Sequence, residues 1–427
     1  LMPDELPTLR TLLIGGDKCS EEEAQRWVKG RRVFNAYGPT EASVCVSLYP
    51  YHDYQDGWLL GRPGQNVSHF VLDPYGQPVP IGVIGELHIG GVGLARGYLH
   101  RPQLTAEKFV PLQVFRDQVN SELIVERNLP TVVYRTGDLV RYRPNGYLQF
   151  LGRIDNQIKL RGFRIELGEI EACLVELSAI KDCVVVIKRP QAGKEYLVAY
   201  LIAADPTTVT PALLEHLQQH AREQLPSYMV PSAFHFLPAF PLTPNGKVDR
   251  AALALKVVQS NTAIAARGEV SVRQLSLEEQ IQLMQSINNT YTPQYNQTRC
   301  VHEHFQTQVV RTPEAIALSF SNQSLTYLQL DQQANQLAHF LQRQGVGPET
   351  LVGIALTPSV EMFVALLGIL KAGGAYLPLD PSYPQDRLAF MLADARPLLV
   401  ISQRAFLDKY EWMRGGDCRF IAIDDQW

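Results

Sequence analysis

The chain has 427 residues, of which 46% are apolar and 19% charged, so about two to four domains with buried cores are expected. Its 39 basic and 43 acidic side chains leave a formal charge of −4 without a long run of either sign, which argues against nucleic acid and an anionic membrane as partners. The longest apolar stretch, 363–370, is far shorter than the roughly 20 residues of a membrane span. Six scattered cysteines without a C-x-x-C pair are typical of reduced thiols in a cytoplasmic protein.

The first part of the chain alternates short β-branched stretches with Gly or Pro turns, a pattern that indicates a mixed α/β body. The predicted elements here are strands at 11–14, 32–34 and 86–89 and a helix at 21–28. From about Arg153 the pattern becomes that of a compact α+β unit of about 100 residues. Its predicted elements are helices at 165–177 and 211–225 and strands at 183–187 and 196–202.

Small and polar residues at 260–272 predict a linker, after which a second globular pattern begins. It resembles β-α-β units. The predicted elements are helices at 275–287, 328–341 and 360–370 and strands at 316–320 and 351–356. The chain begins with Leu1 and ends in what reads as an unfinished strand and turn, so we expect it to be a segment of a longer protein.

Segment 35–41, with the sequence NAYGPTE, follows a predicted strand and places a hydroxyl beside a carboxylate. Thr40 and Glu41 suit a phosphate oxygen and its Mg²⁺, because Mg²⁺ is held by one or two carboxylates together with substrate phosphates. A polar turn with a helix cap at Thr40 is the alternative interpretation.

Asp138 ends a predicted strand in segment 134–139, YRTGDL. A carboxylate placed there can accept two hydroxyls of a ribose, as acidic residues do in nucleotide folds, and an ordinary turn residue is the alternative. The charge-rich segment 152–171 lies at the boundary between the first two patterns. It predicts either a solvated hairpin or a hinge that carries a nucleotide contact.

Two further segments contain glycine turns. The glycines of 86–99 depart from the spacing of a dinucleotide fingerprint, which favours a structural loop. Lys247 lies in the tight turn 244–250. An exposed turn lysine is normally inert, whereas a lysine delivered by a mobile unit can neutralise charge that develops on a carboxylate and a phosphate.

Taken in order, these segments resemble the later core motifs of the adenylation domains of nonribosomal peptide synthetases, members of the adenylate-forming superfamily. Residues 325–338 and 370–388 resemble the first two core motifs of the same family. The resemblance implies an α/β and α+β protein with the adenylate-forming enzyme fold: a partial core lobe, a small mobile C-terminal subdomain, and a second partial core lobe. The implied domains are 1–153, the C-terminal part of an adenylation core; 154–253, its C-terminal subdomain; 254–274, a linker; 275–310, a segment like the linker between condensation and adenylation domains; and 311–427, the N-terminal part of a second core.

The resemblance also implies roles for single residues near the nucleotide. Tyr37 and Gly38 match the positions beside the adenine. Thr40 and Glu41 match the catalytic positions that meet the phosphates, with Glu41 as the Mg²⁺ ligand.

In the same way, Asp138 and Arg153 match the residues that contact the ribose. Asp155 matches the hinge about which the small subdomain rotates, and Lys247 matches the catalytic lysine that bridges the substrate carboxylate and the α-phosphate. The matching amino-acid pocket is small or apolar, which favours an uncharged substrate. It consists of Leu12, Ile14, Ala36, Val44 and Cys45.

The implied activity is ligation: an amino acid reacts with ATP to give an aminoacyl adenylate, and the acyl group is then loaded as a thioester onto phosphopantetheine. The implied cofactors are ATP, Mg²⁺ and phosphopantetheine, the last on a carrier domain absent from this chain. Carrier and condensation domains of the same assembly line are the implied partners, with no nucleic acid and no membrane. The sequence lacks the family's phosphate loop and the aspartate that holds the substrate amine, so the isolated chain is expected to be inactive. An acyl-CoA ligase and an inert scaffold are the alternatives.

Overall fold

The computed structural model describes most of the chain in eleven ranges. They are residues 3–16, 21–51, 59–112, 130–155, 157–188, 195–243, 248–255, 286–288, 290–292, 299–409 and 418–424.

The first 153 residues build a nine-stranded mixed sheet in the order β1-β2-β3-β4-β9-β8-β6-β5, with β7 paired to β8. Strands β1 and β2 run parallel, and the other neighbours are antiparallel. The strands are β1 Thr11–Gly15, β2 Arg32–Tyr37, β3 Ser47–Pro50, β4 Leu59–Pro63, β5 Val67–Leu72, β6 Gly85–Gly91, β7 Phe109–Pro111, β8 Val132–Tyr142 and β9 Leu148–Arg153. The helices here are α1 Glu21–Val28 and α2 Pro102–Lys108.

Side chains alternate along the strands, and many apolar side chains of the described part of this sheet pack in a larger and a smaller cluster. Leu87, Val140 and Leu148 are fully buried in the larger cluster, which also contains Tyr37. A smaller cluster packs α1 on the β1–β2 edge through Ala24. The sheet therefore places Tyr37 of β2 and the polar residues of β8 on a rigid, well-packed base.

The next residues form a hairpin, a three-stranded sheet and helices. Their bounds are β10 Gln157–Leu160, β11 Phe163–Glu166, α3 Leu167–Val175, β12 Ile180–Lys188, β13 Tyr196–Ala203, α4 Pro211–Gln224, β14 Ala233–Phe236 and α5 Arg250–Leu255. The helix predicted at 165–177 is wrong by two residues at each end, because Ile165 and Glu166 pair with β10 in the hairpin and the helix runs from Leu167 to Val175.

The last part contains a hairpin and a four-stranded parallel sheet in the order β18-β17-β19-β20. The helices Tyr327–Arg343 and Val360–Ala372 pack closely, since a Cβ on Gly368 would lie 2.8 Å from the Leu337 side chain. The elements are α6 Val301–Arg311, β15 Ile316–Phe320, β16 Gln323–Thr326, α7 Tyr327–Arg343, β17 Leu351–Ala355, α8 Val360–Ala372, β18 Ala375–Pro378, α9 Gln385–Ala395, β19 Leu399–Ser402, α10 Arg404–Lys409 and β20 Arg419–Ala422.

Part of the predicted segment 275–310 contacts the first sheet, whereas residues 256–285, with most of the predicted linker and of the helix predicted at 275–287, lie outside the described residues. The side chain of Asn288 bonds both backbone groups of His69, with distances of 2.7 and 2.9 Å. Thr290 donates its hydroxyl to the Val67 carbonyl at 2.6 Å and accepts from the Asn66 amide at 3.0 Å. These bonds cover the outer edge of β5, a sheet edge that would otherwise present open backbone groups.

The chain divides into two compact units. One consists of 1–172, 182–202 and 232–295, and the other of 173–181, 203–231 and 296–427. The domain boundaries given above remain predictions. Among the described residues, none of the helices has both the length and the apolar character needed to cross a membrane.

Candidate functional site

Asp138 lies inside the eleven-residue strand β8, and not at a strand end as predicted. Only 5% of the residue is exposed. Its carboxylate accepts hydrogen bonds from the Tyr37 hydroxyl and from the Arg153 guanidinium. Burial, and next the charge of Asp138, raise the pKa of Tyr37 well above its ordinary value, so that this phenol stays a donor. Tyr37 and Arg153 therefore fix both carboxylate oxygens in place.

Arg153 connects this carboxylate with the predicted hinge. Its guanidinium forms a two-bond ion pair with Asp155, at 2.6 and 2.7 Å, and also donates to the Thr136 carbonyl at 2.9 Å. Burial alone would raise the pKa of Asp155, but its hydrogen bonds to Arg153 and the charge of Arg153 lower it. Gly137 has a φ of +75°, and a Cβ there would lie 2.8 Å from the guanidinium. Glycine accommodates the left-handed backbone without strain and leaves the Arg153 and Asp155 side chains in place.

Glu41 lies in a short 3-10 turn, Thr40–Ala42. Its side chain is 12% exposed, and Arg164 of β11 donates to one carboxylate oxygen at 2.7 Å. The Tyr98 hydroxyl donates to the other oxygen, also at 2.7 Å. Burial raises the pKa of Glu41, but the bond from Tyr98 and the charge of Arg164 outweigh it, so the pKa lies below its ordinary value. Glu41 is thus a carboxylate anion with two fixed donors.

The backbone around this turn explains Gly38. A Cβ on Gly38 would lie 2.5 Å from the Val44 carbonyl oxygen, so the chain can fold back only over a glycine. Val44 itself has a φ of +70°, which is rare for a β-branched residue. Thr40 is exposed as the first residue of the turn, and the cap position is Pro39, so the alternative of a helix cap at Thr40 is wrong.

The glycine loop after β6 supports the same turn. The amide of Ala95 donates to the Glu41 carbonyl at 2.8 Å, and the hydroxyl of Ser43 donates to the Gly93 carbonyl at 2.6 Å. Gly91 and Gly97 have left-handed φ values of +123° and +144°. These contacts agree with the interpretation of 86–99 as a structural loop.

The β10–β11 hairpin brings two cations to this site. Lys159 and Arg164 are directly opposite each other in the antiparallel register, so they share a face. The Lys159 ammonium lies 5.4 Å from the centre of the Tyr37 ring, within cation–π range. A hairpin is observed within 152–171, at 157–166, and it contacts Tyr37 and Glu41; the hinge interpretation of this segment remains a prediction.

The five predicted pocket residues do not surround one cavity. Leu12 and Ile14 pack in the cluster that faces α1. Ala36 pairs with Gly15 of β1. Because side chains alternate along a strand, Ala36 lies on the opposite face of the sheet from Leu12 and Ile14. Val44 and Cys45 are exposed in the turn after Glu41. The assignment of these residues to an amino-acid pocket remains a prediction.

Lys247 lies outside the described residues, so its role also remains a prediction. Three contributors to the site, Arg164, Tyr98 and Lys159, did not emerge as site residues from the sequence. Charged and apolar side chains alternate around Arg164, and this pattern is the sequence signal that could have indicated its role.

Comparison with known proteins identifies the family. The family model described as "AMP-binding enzyme" matches residues 2–99 and 305–414, and the model "AMP-binding enzyme C-terminal domain" matches 169–247. The chain belongs to the AMP-binding enzymes. Tyr37, Glu41 and the turn between them fall within the first matched range.

Relatives of this AMP-binding enzyme include large peptide synthases. The chain is 48% identical to a linear gramicidin synthase of Brevibacillus parabrevis over 253 residues, 59% of this chain and 5% of the relative. It is 42% identical to novobiocin biosynthesis protein H of Streptomyces niveus over 253 residues, 59% of this chain and 40% of the relative. A solved adenylation domain of Vibrio cholerae, AlmE with glycyl-adenosine-5′-phosphate, is 25% identical with a TM-score of 0.49, covering 60% of this chain and 46% of that one. The chain thus spans less than half of these relatives.

Proposed function

We propose that the chain is a segment of a nonribosomal peptide synthetase that activates an amino acid with ATP and transfers the aminoacyl group to a carrier thiol. The observation that carries this proposal is the buried Asp138 carboxylate, held by Tyr37 and Arg153 within an AMP-binding enzyme. The peptide synthases among the relatives support it.

The residues around Asp138 fit a nucleotide. Each carboxylate oxygen has a second lone pair beyond the one used by Tyr37 or Arg153, so Asp138 can also accept ribose hydroxyls. The Tyr37 ring provides an aromatic surface for adenine, and Gly38 allows the backbone to pass beside it. Arg153 balances the charge of the Asp138 carboxylate through their ion pair.

Glu41 fits Mg²⁺ as a single protein ligand. Among the described residues no group of three or more His, Cys, Asp or Glu side chains could hold a metal ion. Mg²⁺ often has one or two protein carboxylates and takes its other ligands from phosphates and water. When bound, the ion would neutralise phosphate charge, and the exposed Thr40 hydroxyl would add a hydrogen bond to a phosphate oxygen.

The proposed reaction has two displacement steps. A carboxylate oxygen of the amino acid forms a bond to the α-phosphorus as pyrophosphate leaves. The carrier thiol, after losing its proton, then forms a bond to the acyl carbon as AMP leaves. The carboxylate is its own nucleophile, so the protein contributes mainly orientation and charge stabilisation. We assign Lys247 to the bridge between the substrate carboxylate and the α-phosphate.

We propose that the 427-residue chain alone does not complete this reaction, because its sequence lacks the phosphate loop and the amine-binding aspartate of the family. Carrier and condensation domains would be partners in the longer protein, and the carrier would supply phosphopantetheine. We propose a cytoplasmic location on the basis of the six scattered cysteines, none of which lies in a C-x-x-C pair.

Amino-acid-dependent exchange of pyrophosphate into ATP tests the function. The gene product that contains this chain should catalyse the exchange, and Lys247→Ala should lower it at least about 100-fold, the usual scale for a lost transition-state charge contact. Exchange that is unchanged in Lys247→Ala would contradict the assignment. Exchange that responds to simple carboxylic acids but not to amino acids would instead favour the acyl-CoA ligase alternative.

A further inference from the structure

Strand β8 contains a bulge at Asp138, the carboxylate of the candidate nucleotide site. The register between β6 and β8 shifts between Glu86 and His88. Leu87 alone lies between these two residues in β6, whereas the corresponding stretch of β8 has three residues, 136–138. Surplus residues of this kind interrupt the ladder of backbone hydrogen bonds, and bulges are frequent beside active sites, where they redirect a side chain.

Two side chains bond the backbone amides within this bulge. The Thr136 hydroxyl donates to the Leu87 carbonyl at 2.7 Å and accepts from the Asp138 amide at 3.0 Å. One Glu86 oxygen accepts from the Gly137 amide at 3.1 Å. Thr136 is only 3% exposed, so the backbone groups that it bonds would have no ready replacement from water.

The two carbonyls of the bulge are bonded from the opposite side, by β9 and the residue that follows it. The Arg153 guanidinium donates to the Thr136 carbonyl at 2.9 Å, and the Ile154 amide donates to the Gly137 carbonyl at 2.8 Å. Together with the bonds to the two amides, these contacts pair all four polar groups of the two peptide units that precede Asp138. The backbone that carries the Asp138 carboxylate is therefore held on both sides.

We propose that Thr136 and Glu86 are positioning residues for the nucleotide, which hold the bulge of β8 and so aim the Asp138 carboxylate at the ribose hydroxyls. This inference rests on the proposed function, because it takes from there the assignment of Asp138 to the ribose. Thr136 and Glu86 act through the two peptide units and not by contact with the nucleotide. Hydrogen bonds weaken steeply as their angle departs from linearity, so a small rotation of Asp138 is enough to weaken its bonds to the ribose.

The preference for a ribose that has its hydroxyls is the readout, because a purely structural role would not change it. Isothermal titration of the 427-residue chain with AMP and with 2′,3′-dideoxy-AMP gives this preference as a ratio of affinities. Thr136→Val should lower the affinity for AMP about tenfold and Glu86→Ala about fivefold, the scale of one hydrogen bond. Both variants should bind 2′,3′-dideoxy-AMP with nearly the affinity of wild type.

Conservative variants separate the hydrogen bonds from the bulk of the side chains. Thr136→Ser keeps the hydroxyl and should keep most of the preference for AMP. Glu86→Gln should do the same, because it keeps an oxygen for the Gly137 amide while Arg135, the 44% exposed ion-pair partner of Glu86, bonds water instead. Thr290→Val is the matched control: its hydroxyl also donates to a strand carbonyl, but at the outer edge of β5, and its loss should leave the preference unchanged.

Backbone hydrogen exchange tests the same bonds without a nucleotide. A peptide that covers 133–142 contains the amides of Gly137 and Asp138, whose partners are side chains. One of these amides should exchange about tenfold faster in Glu86→Ala and the other in Thr136→Val. Thr136→Ser and Glu86→Gln should exchange nearly as slowly as wild type.

An unchanged ratio of the two affinities in Thr136→Val and Glu86→Ala would overturn the proposal, as would unchanged hydrogen exchange. An equal loss of both nucleotides would overturn it as well, because the effect would then be on the whole sheet. A wild type that binds AMP no better than 2′,3′-dideoxy-AMP would contradict both the proposal and the assignment of Asp138 to the ribose. If the variants behave as expected but the gene product does not exchange pyrophosphate, the proposed function fails while the positioning of Asp138 stands.

Discussion

Gly137 lies where the charged side chains of the site converge, and its replacement offers a test of that geometry. Gly137→Ala should lower the free energy of unfolding by about 2–4 kcal/mol. The alanine would be strained by about 1 kcal/mol in the left-handed backbone, and its Cβ would also displace the Arg153 and Asp155 side chains. Gly82→Ala is the control, since Gly82 has a φ of +88° with open space around its Cβ position. Urea denaturation measures both variants. Equal losses at the two glycines would show that the contact with Arg153 contributes nothing.

Asp155 gives the site a predictable pH dependence. Its pKa is lowered below the ordinary value of 3.8 by Arg153, so the unfolded state binds the proton more tightly than the folded state. The stabilisation is therefore complete above the unfolded pKa and is lost as the pH falls through the lower, folded pKa. Urea denaturation at about pH 6 and about pH 3 should show a larger loss for wild type than for Asp155→Asn. Parallel losses in the two proteins would contradict the ion pair.

A buried ion pair joins helix α7 to helix α8. The Lys371 side chain is only 4% exposed, and its ammonium lies 2.7 Å from both Asp331 and Asn335. Residues 370–388 resemble a core motif of the family, but the pairing of Lys371 with Asp331, 40 residues earlier, was not apparent from the sequence.

Lys371→Met should lower the free energy of unfolding by about 3 kcal/mol, because it leaves the Asp331 carboxylate without its cation in a mostly buried place. The double variant Lys371→Met with Asp331→Asn removes both charges and should recover part of this loss. Urea denaturation of the two variants decides the point. A double variant that is less stable than Lys371→Met would contradict the explanation.

The bounds of some helices and strands follow from the local sequence alone. The helix at 21–28 and the strand at 316–320 have the predicted bounds, since each is delimited by turn residues in its own sequence. At 165–166 the helical spacing was misleading, because pairing with β10 decides the conformation of these residues. The register of a hairpin depends on its partner strand, which a helical period does not reveal.

The candidate site, like the helices and strands, is predictable from local sequence only in part. Asp138 and Glu41 were predicted from short motifs and Arg153 from the family resemblance, and the structure places Tyr37 and Arg153 on the Asp138 carboxylate. The ion pair between Glu41 and Arg164 was not found, because it joins a turn to a hairpin across 123 residues. Contacts between distant segments depend on the fold, and a single sequence carries no direct signal for them.

The assignment of Asp138 to a nucleotide site is tested by the binding of AMP to the 427-residue chain. Isothermal titration should show AMP binding to the wild type and at least about tenfold weaker binding to Asp138→Asn, because the amide replaces one acceptor oxygen with a donor. Asp205→Asn, a change at an exposed loop carboxylate, should bind AMP as wild type does. Equal affinities in wild type and Asp138→Asn, or no binding to wild type, would contradict the claim.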